Sequence, residues 1–159
     1  MSMKSLSLPA GLGWLICGAG AAGIFATYWD ESWHTDIGRD SFWTPAHLLL
    51  YGAMAVVGVS IAVWGLRVLL TLKSARRALA QLPVVAACLG GVAALAAAPI
   101  DNAWHEAFGR DAVEWSPPHM LVVFAATAIA LGALAGIDPN ARALRAAAGT
   151  LLLDRKSVV

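Results

Sequence analysis

Two short segments of this chain concentrate groups that bind metals. Asp30, His34 and His47 form one set, and Asp101, His105 and His119 repeat it in the same order. Asp30 and His34 are four residues apart, as are Asp101 and His105. A helix running through those positions places each pair on one face, a turn apart. The remaining histidine of each set comes three residues after Thr44 or Ser116, and each of those hydroxyl residues precedes a proline. A hydroxyl residue followed by proline is a helix start, so His47 and His119 are expected in the first turn of the next helix. One carboxylate and two imidazoles would then converge at the mouth of a helical hairpin. That donor set suits a divalent transition metal, Cu(II), Zn(II) or Fe(II), in a site with open coordination positions. Cys17 and Cys88 lie far from both sets and read as small buried apolar residues rather than thiolate ligands.

The two segments are copies of one another. Both contain, in order, Asp, Trp-His, Gly-Arg-Asp, Trp, a hydroxyl residue, Pro and His; the second has one extra residue between Asp111 and Trp115. That insertion falls before the expected cap, so it should lengthen the loop without moving the ligands. Glycine at 38 and 109 permits a turn. Arg39, Asp40, Arg110 and Asp111 are expected to pair with each other or with the metal-binding carboxylates, and Trp33 and Trp104 to sit against the ligands. Gly132 and Gly136, with the small residues of 18–23, permit close helix contact within the chain or with a partner.

What must position these residues is set by composition. The chain has 159 residues, 59% of them hydrophobic and only 13% charged. A soluble domain is typically about 25% charged, so this one cannot cover a water-facing surface. Residues 5–29, 41–66, 78–100 and 115–137 carry no Asp, Glu, Lys or Arg. Each run is long enough to cross a bilayer core, which takes about 20 helical residues. Too little chain remains for a soluble domain, and a disordered chain and a disulfide scaffold are excluded as well. The expected fold is an all-α integral membrane protein of four transmembrane helices, built as two parallel helix–motif–helix repeats related by a pseudo-twofold along the membrane normal. Residues 1–72 form the first repeat, 73–137 the second, and 138–159 a basic tail. The uncharged stretch in that tail is too short to span; it is expected to lie on the inner surface or to dock against the bundle.

Charge sets the orientation. Nine of the 11 Lys and Arg residues lie in the N-terminus, the middle loop and the tail; only Arg39 and Arg110 lie in the motif loops. By the positive-inside rule both termini are expected to be cytoplasmic and both motifs outside; the expected location is the cytoplasmic membrane of a bacterium, with the motifs periplasmic if the cell is Gram-negative. The four histidines and most of the acids fall on that outer side. Five of the seven Trp do too, as interfacial anchors would. A net charge of +1 gives no reason to expect a nucleic-acid partner.

The first motif resembles the metal-binding segment of the C subunit of the copper membrane monooxygenases, the particulate methane and ammonia monooxygenases. The spacing Asp-x3-His-x12-His is met by Asp30, His34 and His47, with Trp33, Arg39-Asp40 and Thr44-Pro45-Ala46 in matching positions. The resemblance implies that these three residues bind copper. By internal homology it extends to Asp101, His105 and His119, whose last spacing is x13. It covers the motif segments and little beyond. It implies a component of a copper-dependent system that oxidises a small apolar substrate, working with other membrane subunits; the glycine-rich helix faces separately permit a homo-oligomer. Two other functions fit the residues alone: a copper- or zinc-handling protein without turnover, and an accessory subunit pinned by its metal. The six ligands could form two mononuclear sites or one dinuclear site. Two are expected, since each hairpin supplies a complete set.

Overall fold

The computed structural model describes residues 6–37, 41–108 and 116–154; the side chains of His34, Leu153 and Asp154 fall outside that description. The described residues form six helices: α1 (Ala10–Ile37), α2 (Pro45–Leu72), α3 (Ala75–Leu79), α4 (Leu82–Phe108), α5 (Pro117–Gly136) and α6 (Arg142–Asp154). Helices α1, α2, α4 and α5 are long and apolar enough to cross a membrane. Their outward faces expose Leu15, Phe25, Val59, Val63, Leu89, Val92 and Phe124. So much exposed apolar surface suits lipid rather than water.

Helix α1 has 28 residues and α4 has 27. At 1.5 Å per residue each is about 40 Å long, more than the roughly 30 Å of a hydrocarbon core. Both helices therefore run about two turns past their uncharged runs, and these extra turns carry Asp30 and His34 on α1 and Asp101 and His105 on α4. The expected continuation of helix through the motifs is what the chain adopts.

Packing is between neighbours in sequence. Helix α1 pairs with α2, α4 pairs with α5, and the two hairpins meet along α2 and α4. Gly65 of α2 approaches Val84 and Cys88 of α4, while Ile61 approaches Gly91. The later residue of one helix meets the earlier residue of the other, so the two run antiparallel and both motifs lie at the same end of the molecule. Helices α4 and α5 meet backbone to backbone. A Cβ on Gly90 would sit 2.6 Å from the Ala125 carbonyl oxygen, and one on Gly132 would sit 2.6 Å from the Pro83 carbonyl oxygen. Gly132 thus serves contact within the chain. Small residues let helices meet backbone to backbone where no hydrophobic force between them operates in lipid.

The end opposite the motifs is closed by a knot of contacts. Leu8, Ile61, Trp64, Val68, Ala133, Ile137, Leu144 and Ala148 form one buried cluster there. Trp64 is 1% exposed, and its Nε1–H donates to the Leu6 carbonyl at 3.1 Å. Trp64→Phe loses that bond and shortens a buried indole to a phenyl ring. It is expected to cost about 2–4 kcal/mol, the bond and the cavity together, lowering the melting temperature in detergent by several degrees. An unchanged melting temperature would show that the bond does not anchor the N-terminal segment.

Of the two placements expected for the tail, the chain takes docking. Helix α6 buries Leu144 and Ala148, and Arg145 Nη1 donates to the Leu134 and Ile137 carbonyls at 3.2 and 3.3 Å. Those carbonyls end α5 and have no partner within the helix, so a cation there satisfies them and complements the helix dipole. The loop between α2 and α4 holds the short helix α3, started by Ser74 accepting from the Arg77 amide at 3.4 Å, which no sequence pattern indicates.

Candidate metal centre

The second set of residues comes together across α4 and α5. Asp101 and His105 share a face of α4, with His105 Nε2 3.4 Å from Asp101 Oδ2. Helix α5 begins at Pro117 with Ser116 as its N-cap, so His119 enters from the first turn. Its Nε2 lies 3.5 Å from Asp101 Oδ1. The two imidazole centroids are 6.2 Å apart at 61°. One ligand atom from each of the three residues falls within 4.8 Å of the others.

These contacts are longer than a tight hydrogen bond. A charge-assisted N–H···O bond closes to about 2.7–2.9 Å. Two ligand atoms on a tetrahedral ion, each about 2.0–2.1 Å from it, stand about 3.3–3.4 Å apart. The contacts of 3.4 and 3.5 Å run to different oxygens of Asp101 and gather the three residues into a possible metal-binding group. Both histidines present Nε2, and each faces its own carboxylate oxygen. The three residues can together offer ligand atoms to one metal ion. His119 is the most open member, its side chain 45% exposed, which leaves a side from which a further ligand can reach the ion.

The first set is built the same way where it is described. Asp30 lies near the end of α1, and His47 in the first turn of α2 places Nε2 3.3 Å from Asp30 Oδ1. His47 Nδ1 lies 2.9 Å from the Ser41 carbonyl oxygen. A carbonyl only accepts, so Nδ1 carries the hydrogen and Nε2 of the neutral ring presents a lone pair. That lone pair faces a carboxylate. Two acceptors can face each other only across a proton or a cation, and a backbone carbonyl fixing the far nitrogen is how metal-binding histidines are held. The ring stacks on Tyr51, one turn along α2, with centroids 5.8 Å apart. His34 belongs to α1, and its side chain lies outside the described residues.

The helix starts agree with the expected capping at one site and not at the other. Thr44 Oγ1 accepts from the His47 amide at 3.4 Å. Ser116 occupies the N-cap position, but its side chain makes no capping bond. Serine lacks the γ-methyl that restricts threonine's rotamer, so its hydroxyl is free to turn away. Thr44→Ala is expected to cost about 1 kcal/mol of stability, while Ser116→Ala should leave α5 intact. Thermal unfolding of both variants in detergent checks this, and equal losses would contradict it.

Arg39, Asp40, Arg110 and Asp111 lie outside the described residues, so their expected pairing is not placed. Trp33 lies edge-on to Trp29, with centroids 6.5 Å apart. Trp104 packs on Phe108 at 4.3 Å, and its buried Nε1 has no hydrogen-bond partner among the described residues. Cys17 and Cys88 are free thiols away from both sets. Sequence reasoning missed three features. They are the Ser41 carbonyl that orients His47, the Tyr51 ring beneath it, and Pro99 inside α4, two residues before Asp101. The four-residue spacing of His47 and Tyr51 could have signalled the stack; nothing local signals the Ser41 contact.

No protein-family model, curated protein or solved structure matches the chain.

Proposed function

We propose that this chain is a membrane-embedded transition-metal protein, copper being the favoured metal, with one mononuclear site per hairpin. Asp101, His105 and His119 hold one ion and Asp30, His34 and His47 the other. The observation that carries this reading is the convergence of Asp101, His105 and His119 at ligand-to-ligand spacing from two separate helices. Ionisable groups at the end of an apolar helix pair need a reason to gather, and a shared cation supplies one. The duplicated motif and the matching pairing of α1 with α2 and α4 with α5 support two parallel repeats. The charge asymmetry supports cytoplasmic termini and motifs on the periplasmic side.

The same reading makes the chain a component of a copper-dependent, monooxygenase-like membrane system acting on a small apolar substrate. That part rests on the resemblance of the first motif. A bound copper ion would supply redox and oxygen chemistry there. The chain's own part is to hold the ion at the bilayer surface, where a substrate dissolved in lipid can reach it, and to leave one side of it open beside His119. A second reading, metal handling without turnover, draws on that same openness, since exchange needs an accessible ligand.

The test is metal content of the purified full-length protein after loading with Cu(II), Zn(II) or Fe(II) and exhaustive dialysis. Two copper ions per chain are expected. A chain that retains no transition metal overturns the proposal. Oxidation of a short alkane or ammonia by copper-loaded membranes separates the oxidative reading from the handling one.

A further inference from the structure

The helices that bring Asp101, His105 and His119 together also carry polar atoms that neither the helices nor the three ligands use. Trp104 Nε1 and Ser116 Oγ are both shielded from solvent and have no hydrogen-bond partner among the described residues. Ser116 is 4% exposed. Buried donors are ordinarily satisfied, so each of these atoms calls for a partner. Their positions along the chain point to where that partner sits. Trp104 follows Asp101 by three residues on α4, which makes the two neighbours on the helix surface. Ser116 precedes His119 by three residues at the start of α5. Each of the two helices that carry the ligand group thus contributes one such donor, a turn or less from a ligand along the chain. Indole N–H can only donate, and a serine hydroxyl can donate. Two donors so near the ligands along the chain favour an acceptor, and an ion held by one carboxylate and two neutral imidazoles keeps a positive charge that an oxygen- or nitrogen-donor anion would offset.

Resting on the metal reading above, we infer that Trp104 Nε1–H and Ser116 Oγ–H donate hydrogen bonds to a small acceptor ligand on the open position of the second metal. The ligand is water, hydroxide or a small anion. The first hairpin is built differently at the equivalent hydroxyl, because Thr44 Oγ1 is committed to the His47 amide. The second site is accordingly the one that takes an external ligand more tightly.

Azide is the probe. Copper-loaded full-length protein in detergent is titrated with azide, following the azide-to-Cu(II) absorption band and the Cu(II) electron paramagnetic resonance spectrum, with copper per chain measured on the same samples. Trp104→Phe and Ser116→Ala are each expected to weaken azide binding about fivefold, the loss of one net hydrogen bond, at unchanged copper content. His34→Ala, which removes a ligand of the first site, should leave the tight azide response intact, and His105→Ala should abolish it. Wild-type affinity in both Trp104→Phe and Ser116→Ala at full copper content overturns the inference and leaves the metal reading standing. Loss of copper from both also overturns it, since the residues would then support the metal rather than its ligand. A wild-type chain that binds no copper overturns the metal reading and this inference together.

Discussion

Replacing His105 with alanine is expected to remove one metal ion from each chain and leave the other bound. His105 presents Nε2 to the Asp101 carboxylate from the same face of α4, one turn away. Without it the second set keeps one carboxylate and one imidazole, too few to hold a transition ion against dialysis. Loss of a group that merely supports a ligand costs about 10–100-fold in affinity, so removal of a ligand itself should exceed about a hundredfold. The first hairpin supplies its own ligands from α1 and α2 and should be untouched. His34→Ala should give the mirror result. Copper per chain, by atomic absorption after loading and dialysis, is the readout: two ions in the parent, one in each single variant, none in the double variant. Loss of both ions from one substitution would replace two mononuclear sites with a shared cluster. Retention of both ions in the double variant would remove these histidines from the metal altogether. Acidification acts in the same direction as the substitutions. Imidazole must be unprotonated to bind metal, so affinity falls as pH falls and protons compete for both rings of each set.

Gly90→Leu should strip the second metal without touching a ligand. Gly90 lies on the face of α4 against α5, where a Cβ would stand 2.6 Å from the Ala125 carbonyl oxygen and 3.0 Å from the Ile129 amide nitrogen. Both are backbone atoms of a helix and cannot swing aside as a side chain would. The two helices must separate or tilt, and overpacking of that kind costs about 1–3 kcal/mol, with the upper end expected here. Separation matters to the site because Asp101 and His105 ride on α4 and His119 on α5. The contact of 3.5 Å between His119 and Asp101 exists only while the helices stay close. The variant should therefore melt several degrees lower and retain one copper ion instead of two. Gly18→Leu is the control, since nothing lies within 4 Å of a Cβ there; it should keep two ions. A Gly90→Leu chain with the parent's melting temperature and both ions would show that the close approach of α4 and α5 does not hold the second site together.

Much of the architecture is a local property of the chain. The four uncharged runs are long enough to be spanning helices because the rise of a helix per residue is fixed. Thr44-Pro45 and Ser116-Pro117 start α2 and α5 because proline at the first helical position sacrifices no hydrogen bond the helix would have made. Asp101 and His105 share a face because one turn is close to four residues. These consequences involve residues within a turn of each other, so they can be read in order along the sequence.

Contacts between helices follow different rules. Whether His119 reaches Asp101 depends on how nearly α4 and α5 approach, and that distance is decided by Gly90 and Gly132 meeting backbone far from the motif. Which way a hydroxyl turns is likewise outside local reach: Thr44 and Ser116 hold the same position in sequence, yet one caps its helix and the other is buried without a partner. The docking of α6 turns on Arg145 finding carbonyls of α5 that only the folded end of the bundle presents. Residue types and spacing thus determined the four long apolar helices and the candidate ligands. Tertiary structure alone decided which donors face a common point, because that outcome depends on packing between segments distant in the chain rather than on the geometry of any one turn.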